Sequence, residues 1–269
     1  MEKRCDRMAQ NVHGTKRGRT LPTYPVYLAS PSQAAHLLSD GRRLIILLRH
    51  GQTDWNQIKR LQGREDVPLN QNGRMQAYKT ALYFRETLDY GVRYGTVCSS
   101  PLSRAADTAA SIAALLSLPH RANVLPEPDM TFADHSGLLI LDNLMERDYG
   151  KLSGLTIEER RRLFPGGERQ AGNVESVPMA AARMFRAFDD MLEACRERVI
   201  LGVTHGGIIN AVFSRLTSGE IGTGKTLTVN CSASLIAAGI GSPIPLAYNI
   251  QENGIVSYLR KMAISGADF

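Results

Sequence analysis

The chain has 269 residues, of which 43% are hydrophobic and 22% charged, and a net charge of +6. That balance can bury a real core and excludes a wholly disordered chain. The longest clean apolar stretch, Leu44 to Leu48, falls far short of the roughly 20 residues that cross a bilayer, and Met1 to Thr20 lacks the apolar run of a secretion signal.

Residues 1–25 mix basic, polar, Gly and Pro residues without apolar periodicity. Residues 1–43 carry eight Lys/Arg against three Asp/Glu, whereas the remaining 226 residues carry 24 against 23. The excess charge therefore lies in a basic, partly flexible N-terminal extension (1–43) ahead of a near-neutral body (44–269). This distribution argues against a nucleic-acid or membrane partner. Cys5, Cys98, Cys195 and Cys231 are widely spaced with no C-x-x-C pair, which fits a reducing, cytoplasmic setting and neither a disulfide framework nor a zinc site.

Ser32 to Leu38 suits a short helix. Leu44 to Leu48 is a continuous apolar run, as a strand buried on both faces requires. Helical spacing follows over Gly73 to Tyr90, then a short strand at Thr96 to Ser99 and an Ala-rich helix at Ala105 to Leu116. Val124-Leu125 reads as a strand stopped by Pro126 and Pro128. A long amphipathic helix spans Met179 to Glu197, a buried strand Val199 to Val203, and a helix Gly206 to Leu216. Ser232 to Ala238 reads as the last core strand. Strands alternating with helices predict an α/β fold, a three-layer αβα sandwich with a mostly parallel sheet. In such sheets ligands bind at the carboxyl ends of the strands.

Two strands end in histidine and glycine: Arg49-His50-Gly51-Gln52-Thr53 and Thr204-His205-Gly206-Gly207. A third strand end leads to Arg104 at the opening of a helix. Two guanidiniums with two imidazoles suit a dianionic tetrahedral group, because the arginine fork matches phosphate oxygens.

Arg49 to Asn56, Leu61 to Arg64 and Pro68 to Gly73 resemble the first motif region of the histidine phosphatase superfamily, the phosphoglycerate-mutase-like proteins. Ser99 to Ala109 resembles that family's second arginine motif, Glu146 to Gly154 its acid motif, and Thr204 to Gly207 its second histidine motif. The matches come in the family's order and cover residues 44–240. The resemblance implies the histidine phosphatase fold, with a cap over residues 126–178, and a metal-independent, cofactor-free phosphomonoesterase acting on a small phosphorylated substrate. It also implies that His50 is the nucleophile that becomes phosphohistidine. Glu146 is then the general acid and later base, and Arg49, Arg104 and His205 hold the phosphoryl oxygens. Asn56, Gln62, Gly63 and Gly206 line the phosphate pocket. For this chemistry His50 must be unprotonated and a cationic His205 favours phosphate, so neighbours should drive the two pKa values apart.

Family likeness leaves two alternatives, a phosphoglycerate mutase and a catalytically inactive binding protein. Tyr149 within the acid motif is mutase-like. However, Ile157 stands where mutases carry a lysine for the substrate carboxylate, and Arg160-Arg161-Arg162 reads as the charged end of a helix. Gln62-Gly63-Arg64 also favours a phosphatase. Gly166-Gly167-Glu168 and Glu175-Ser176 both resemble the family's G-E-S element. His135 falls in the poorly matching segment Asp129 to Asn143. A homodimer stays open, since dimers are common in the family. Gly219 to Thr226 fits the phosphate-loop pattern G-x-x-x-x-G-K-[ST], but a helix precedes it and a β-leaning segment follows, the reverse of that loop's context.

Overall fold

The computed structural model describes residues 21–117, 137–267 and 269. Its strands are β1 (Val26–Tyr27), β2 (Arg43–Arg49), β3 (Cys98–Ser99), β4 (Leu139–Ile140), β5 (Val199–Thr204), β6 (Ala233–Ala238) and β7 (Ile244–Ile250). The helices are α1 (Pro31–Ser39), α2 (Asp54–Gln57), α3 (Gln71–Glu86), α4 (Ser103–Ser117), α5 (Ile157–Leu163), α6 (Glu168–Ala171), α7 (Val177–Ala194), α8 (Gly206–Leu216) and α9 (Asn253–Ile264). The sheet runs β1-β7-β6-β2-β5-β3-β4.

Period-two alternation along the central strand assigns its two faces. Leu44, Ile46 and Leu48 join one core with Ala34 and Leu38 of α1, Phe84 of α3, Ile112 of α4 and Leu259 of α9. Ile45 and Leu47 point the other way, against Met184 and Phe188 of α7 and Ile209 and Phe213 of α8. Both faces are covered, which is why the strand carries no polar residue between Arg43 and Arg49. The three-layer arrangement expected from the sequence is therefore present.

The sheet is evenly mixed and not mostly parallel. β2 pairs in parallel with β5, β5 with β3 and β3 with β4, whereas β2–β6, β6–β7 and β7–β1 are antiparallel. In the antiparallel half β6 runs against β2 and is not the last strand. It turns directly into β7, and α9 then packs on the same face as α1.

Residues 26–39, placed by charge in the extension, form β1 and α1 as parts of the folded body. α1 starts with a reciprocal cap, Gln33 N–H to Ser30 Oγ (3.2 Å) and Ser30 N–H to Gln33 Oε1 (2.9 Å). The strand expected at Val124-Leu125 and the candidate His135 lie outside the described residues. Cys98, Cys195 and Cys231 are free. No helix among the described residues is long and apolar enough to cross a membrane.

Candidate active site

The parallel strands β2, β5 and β3 end at one level. Arg49 is in register with Thr204 and Ser99 with Val203, and the ladder continues as His50 N–H to Thr204 O (3.0 Å) and Ser100 N–H to Val203 O (3.0 Å). His50 and His205 therefore meet, with ring centroids 5.2 Å apart. Both are buried.

The His50 ring is oriented by its own backbone neighbour: Nδ1 lies 2.6 Å from Gly51 O. A carbonyl oxygen can only accept, so the proton is on Nδ1 and Nε2 carries the lone pair. Gly51 N–H in turn reaches Thr108 Oγ1 (3.1 Å), and that hydroxyl donates to Arg104 O (2.7 Å).

Arg104 comes from the first turn of α4 and is fully buried. Its guanidinium donates to Glu65 O (2.7 Å) and Gly63 O (2.8 Å), which fixes the loop carrying Gln62 and Gly63 beside it. Arg49 donates to Thr228 O (2.5 Å), and its Nε would lie 3.3 Å from a Cβ at Gly206. Asn56 caps α2 through Thr53, and its Oδ1 also accepts from Asn230 Nδ2 (3.2 Å), which donates as well to His50 O (2.9 Å). Arg49 and Arg104 thus lie close enough for their charges to act on both imidazoles.

Glu146 follows a short 3-10 turn that Thr204 Oγ1 ties to β5 by a bond to Leu144 O (2.6 Å). Its carboxylate accepts from Gly207 N–H at Oε2 (2.9 Å) and from Arg147 N–H at Oε1 (2.8 Å). A Cβ at 207 would sit 2.2 Å from Tyr149 Oη and 2.6 Å from Glu146 Oε1, so a larger residue there would displace the acid. The acid segment is further held by Arg183 of α7, which donates to Asn143 O (2.8 Å) and Met145 O (2.9 Å). Glu175 forms the counter-ion of Arg183 (2.9 Å) while Ser176 caps α7, so of the two G-E-S-like elements this is the one that braces Glu146. Glu168 instead pairs with Arg147 (3.1 Å), whose guanidinium stacks on the Tyr149 ring.

Three nitrogens of this cluster, Arg49 Nε, Arg104 Nε and His205 Nδ1, are buried without a hydrogen-bond partner among the described residues. An unpaired buried polar group costs about 1–3 kcal/mol. An anion accepting from these donors would recover that cost. Among the described residues no group of three or more His, Cys, Asp and Glu is placed to hold a metal.

The expected split of the two histidine pKa values is not met in the free pocket. Burial first, then the charges of Arg104 and Arg49, hold His50 well below the usual imidazole range. His205 is lowered by burial, Arg104, His50 and Arg49. Both shifts favour the neutral imidazoles. Below pH of about 6.5 the unfolded chain takes up protons that the folded chain refuses, so stability falls with pH by up to about 1.4 kcal/mol per unit for each imidazole. Denaturant midpoints from pH 7.5 down to 5 are expected to fall less steeply for His205→Gln than for the wild type. Parallel curves would contradict a buried neutral His205.

The phosphate-loop look-alike forms no such loop. α8 precedes it, no helix follows, and Gly222 (φ +104°) lies where a Cβ would be 2.2 Å from Asn210 O of α8. Its glycine serves close packing. Sequence reading passed over Ser100, Thr228, Asn230 and Arg183. Thr228 acts through its carbonyl and leaves no mark in a sequence. Arg183 lies on α7, whereas its partner Glu175 precedes the Ser176 cap of that helix, so helical spacing does not pair them.

The sequence profile of the histidine phosphatase superfamily (branch 1) matches residues 45–126 and 131–251. The uncharacterized phosphatase PhoE of Bacillus subtilis is 30% identical over 192 residues, covering 71% of this chain and 86% of its own. A metal-independent phosphoserine phosphatase of Arabidopsis thaliana is 31% identical over 202 residues, covering 71% and 75%. Phosphoglycerate mutases are also among the relatives. Among solved structures, mycobacterial glucosyl-3-phosphoglycerate phosphatase in complex with VO3 superposes with a TM-score of 0.60 at 25% identity, covering 78% of this chain and all of the other. With two histidines, two arginines and an acid held at one sheet end and this profile spanning most of the chain, the protein belongs to the histidine phosphatase superfamily and is a phosphatase within it.

Proposed function

We propose that the enzyme hydrolyses small phosphomonoesters through a phosphohistidine on His50, with no metal. The observation that carries this reading is the His50–Gly51 hydrogen bond, which leaves Nε2 as a lone pair amid two guanidiniums and a second imidazole. Arg49, Arg104 and His205 hold the phosphoryl oxygens, with Gln62, Gly63, Asn56 and the α8 N-terminus at Gly206 completing the pocket. Nε2 attacks phosphorus in line as the ester P–O bond breaks, and Glu146 gives its proton to the leaving oxygen. Water then attacks the phosphohistidine, Glu146 takes its proton, and phosphate departs with His50 restored.

Glu146 suits both roles because two backbone N–H groups fix its carboxyl at the pocket edge. Hydrolysis is favoured over mutase transfer because the position of the mutase lysine is Ile157, the first residue of α5, which offers a glycerate carboxylate no cation. The relatives act on phosphoserine and glucosyl-3-phosphoglycerate, both small anionic esters, and a substrate of that class is expected here.

The test is hydrolysis of p-nitrophenyl phosphate and of an alkyl phosphate in EDTA. Wild type is expected to release phosphate from both. Glu146→Gln should lose roughly 10²–10⁴-fold on the alkyl ester and far less on the aryl ester, whose leaving group hardly needs a proton. Equal losses would remove Glu146 from the acid role, and interconversion of 2- and 3-phosphoglycerate without phosphate release would establish a mutase instead.

A further inference from the structure

Ser100 lies one residue past β3, fully buried, with its Oγ 2.8 Å from His205 Nε2. The same oxygen accepts Leu102 N–H (3.3 Å). A hydroxyl has one hydrogen to give, and the imidazole nitrogen is its hydrogen-bonding neighbour besides that donor.

We propose that Ser100 is a positioning residue that selects the tautomer of His205: its hydroxyl donates to Nε2 and thereby keeps the proton on Nδ1. This inference rests on the phosphatase reading above and extends it to a residue outside the phosphate shell. Nδ1 is buried and without a partner among the described residues, so its N–H is held ready for a phosphoryl oxygen. In the opposite tautomer, Nε2–H would point at Ser100 and Nδ1 would meet the substrate with a bare lone pair, which repels a phosphate oxygen. The two histidines are then set by different devices to complementary ends. A backbone carbonyl frees the attacking nitrogen of His50, and a side-chain hydroxyl turns His205 into a donor.

The backbone at this point is fixed independently of the hydroxyl, because Ser100 N–H bonds Val203 O (3.0 Å). Ser100→Ala should therefore remove the donor and keep the strand register. The experiment is nitrogen NMR of protein labelled at histidine, at alkaline pH and without ligand, with the His205 signals identified by their loss in His205→Gln. Wild type is expected to show a protonated Nδ1 and bare Nε2, and Ser100→Ala to shift toward protonated Nε2. In parallel kcat/KM should fall about 10- to 100-fold, and Ser100→Thr, which keeps the hydroxyl, should regain the wild-type tautomer. A wild-type His205 protonated at Nε2, or an alanine variant with unchanged spectra, overturns the proposal. Full turnover by His50→Ala would instead overturn the phosphohistidine reading and leave the tautomer result standing.

Discussion

His50→Ala is expected to lower kcat on p-nitrophenyl phosphate by at least about 10³-fold and to abolish any phosphoenzyme trapped by rapid quench. The loss should fall on kcat more than on binding, because Arg49, Arg104 and His205 do not depend on the His50 side chain for their anchors. Those anchors are Thr228 O, the carbonyls of Gly63 and Glu65, and Ser100 Oγ. The variant should thus still be stabilised by inorganic phosphate. A stable, phosphate-binding variant with wild-type turnover would show that another group attacks phosphorus.

Arg104→Met should cost about 10²–10³-fold in kcat/KM, the scale of losing a preorganised charge donor, and should remove the stabilisation by phosphate. Its effect on folding is opposed from two sides. Gly63 and Glu65 carbonyls lose their donors, at about 1–3 kcal/mol each where they become unpaired. Against this, burial pulls the Arg104 guanidinium down to about 10, and removing the desolvated charge returns about 3 kcal/mol on the scale of 1.36 kcal/mol per pKa unit. The terms nearly cancel, so thermal melting without phosphate is expected to move by only a few degrees. A variant with strongly lowered melting that is still stabilised by phosphate would make Arg104 a structural residue.

The site was legible because its chemistry sits at strand ends, where a buried apolar run stops and a His-Gly pair begins. β2 and β5 read almost to their bounds because both faces are covered, so polar residues are excluded. β7 escaped notice because Pro245 and Asn249 interrupt its apolar pattern; Asn249 has φ of +60°, and its side chain accepts Val229 N–H (2.8 Å). Once β7 was missed, the hairpin from β6 was invisible and the sheet was expected to be mostly parallel. β4 spans two residues and, among the described residues, pairs only with β3, too little for any periodicity. The braces on Glu146 and His205 went unread because a serine hydroxyl or an arginine acts there through contacts between segments distant in sequence.

The short β1 has a consequence for where the molecule can be cut. It covers one side of β7, pairing Val26 with Tyr248 and Tyr27 with Ala247, and Leu246 O accepts from Leu28 and Ala29. A fragment trimmed to the matched span 45–251 would strip that cover and leave a row of unpaired backbone groups along an apolar rim. Such rims template pairing between molecules and so favour aggregation. The two-residue strand, which adds little to the core, thus keeps backbone groups along that edge of β7 paired.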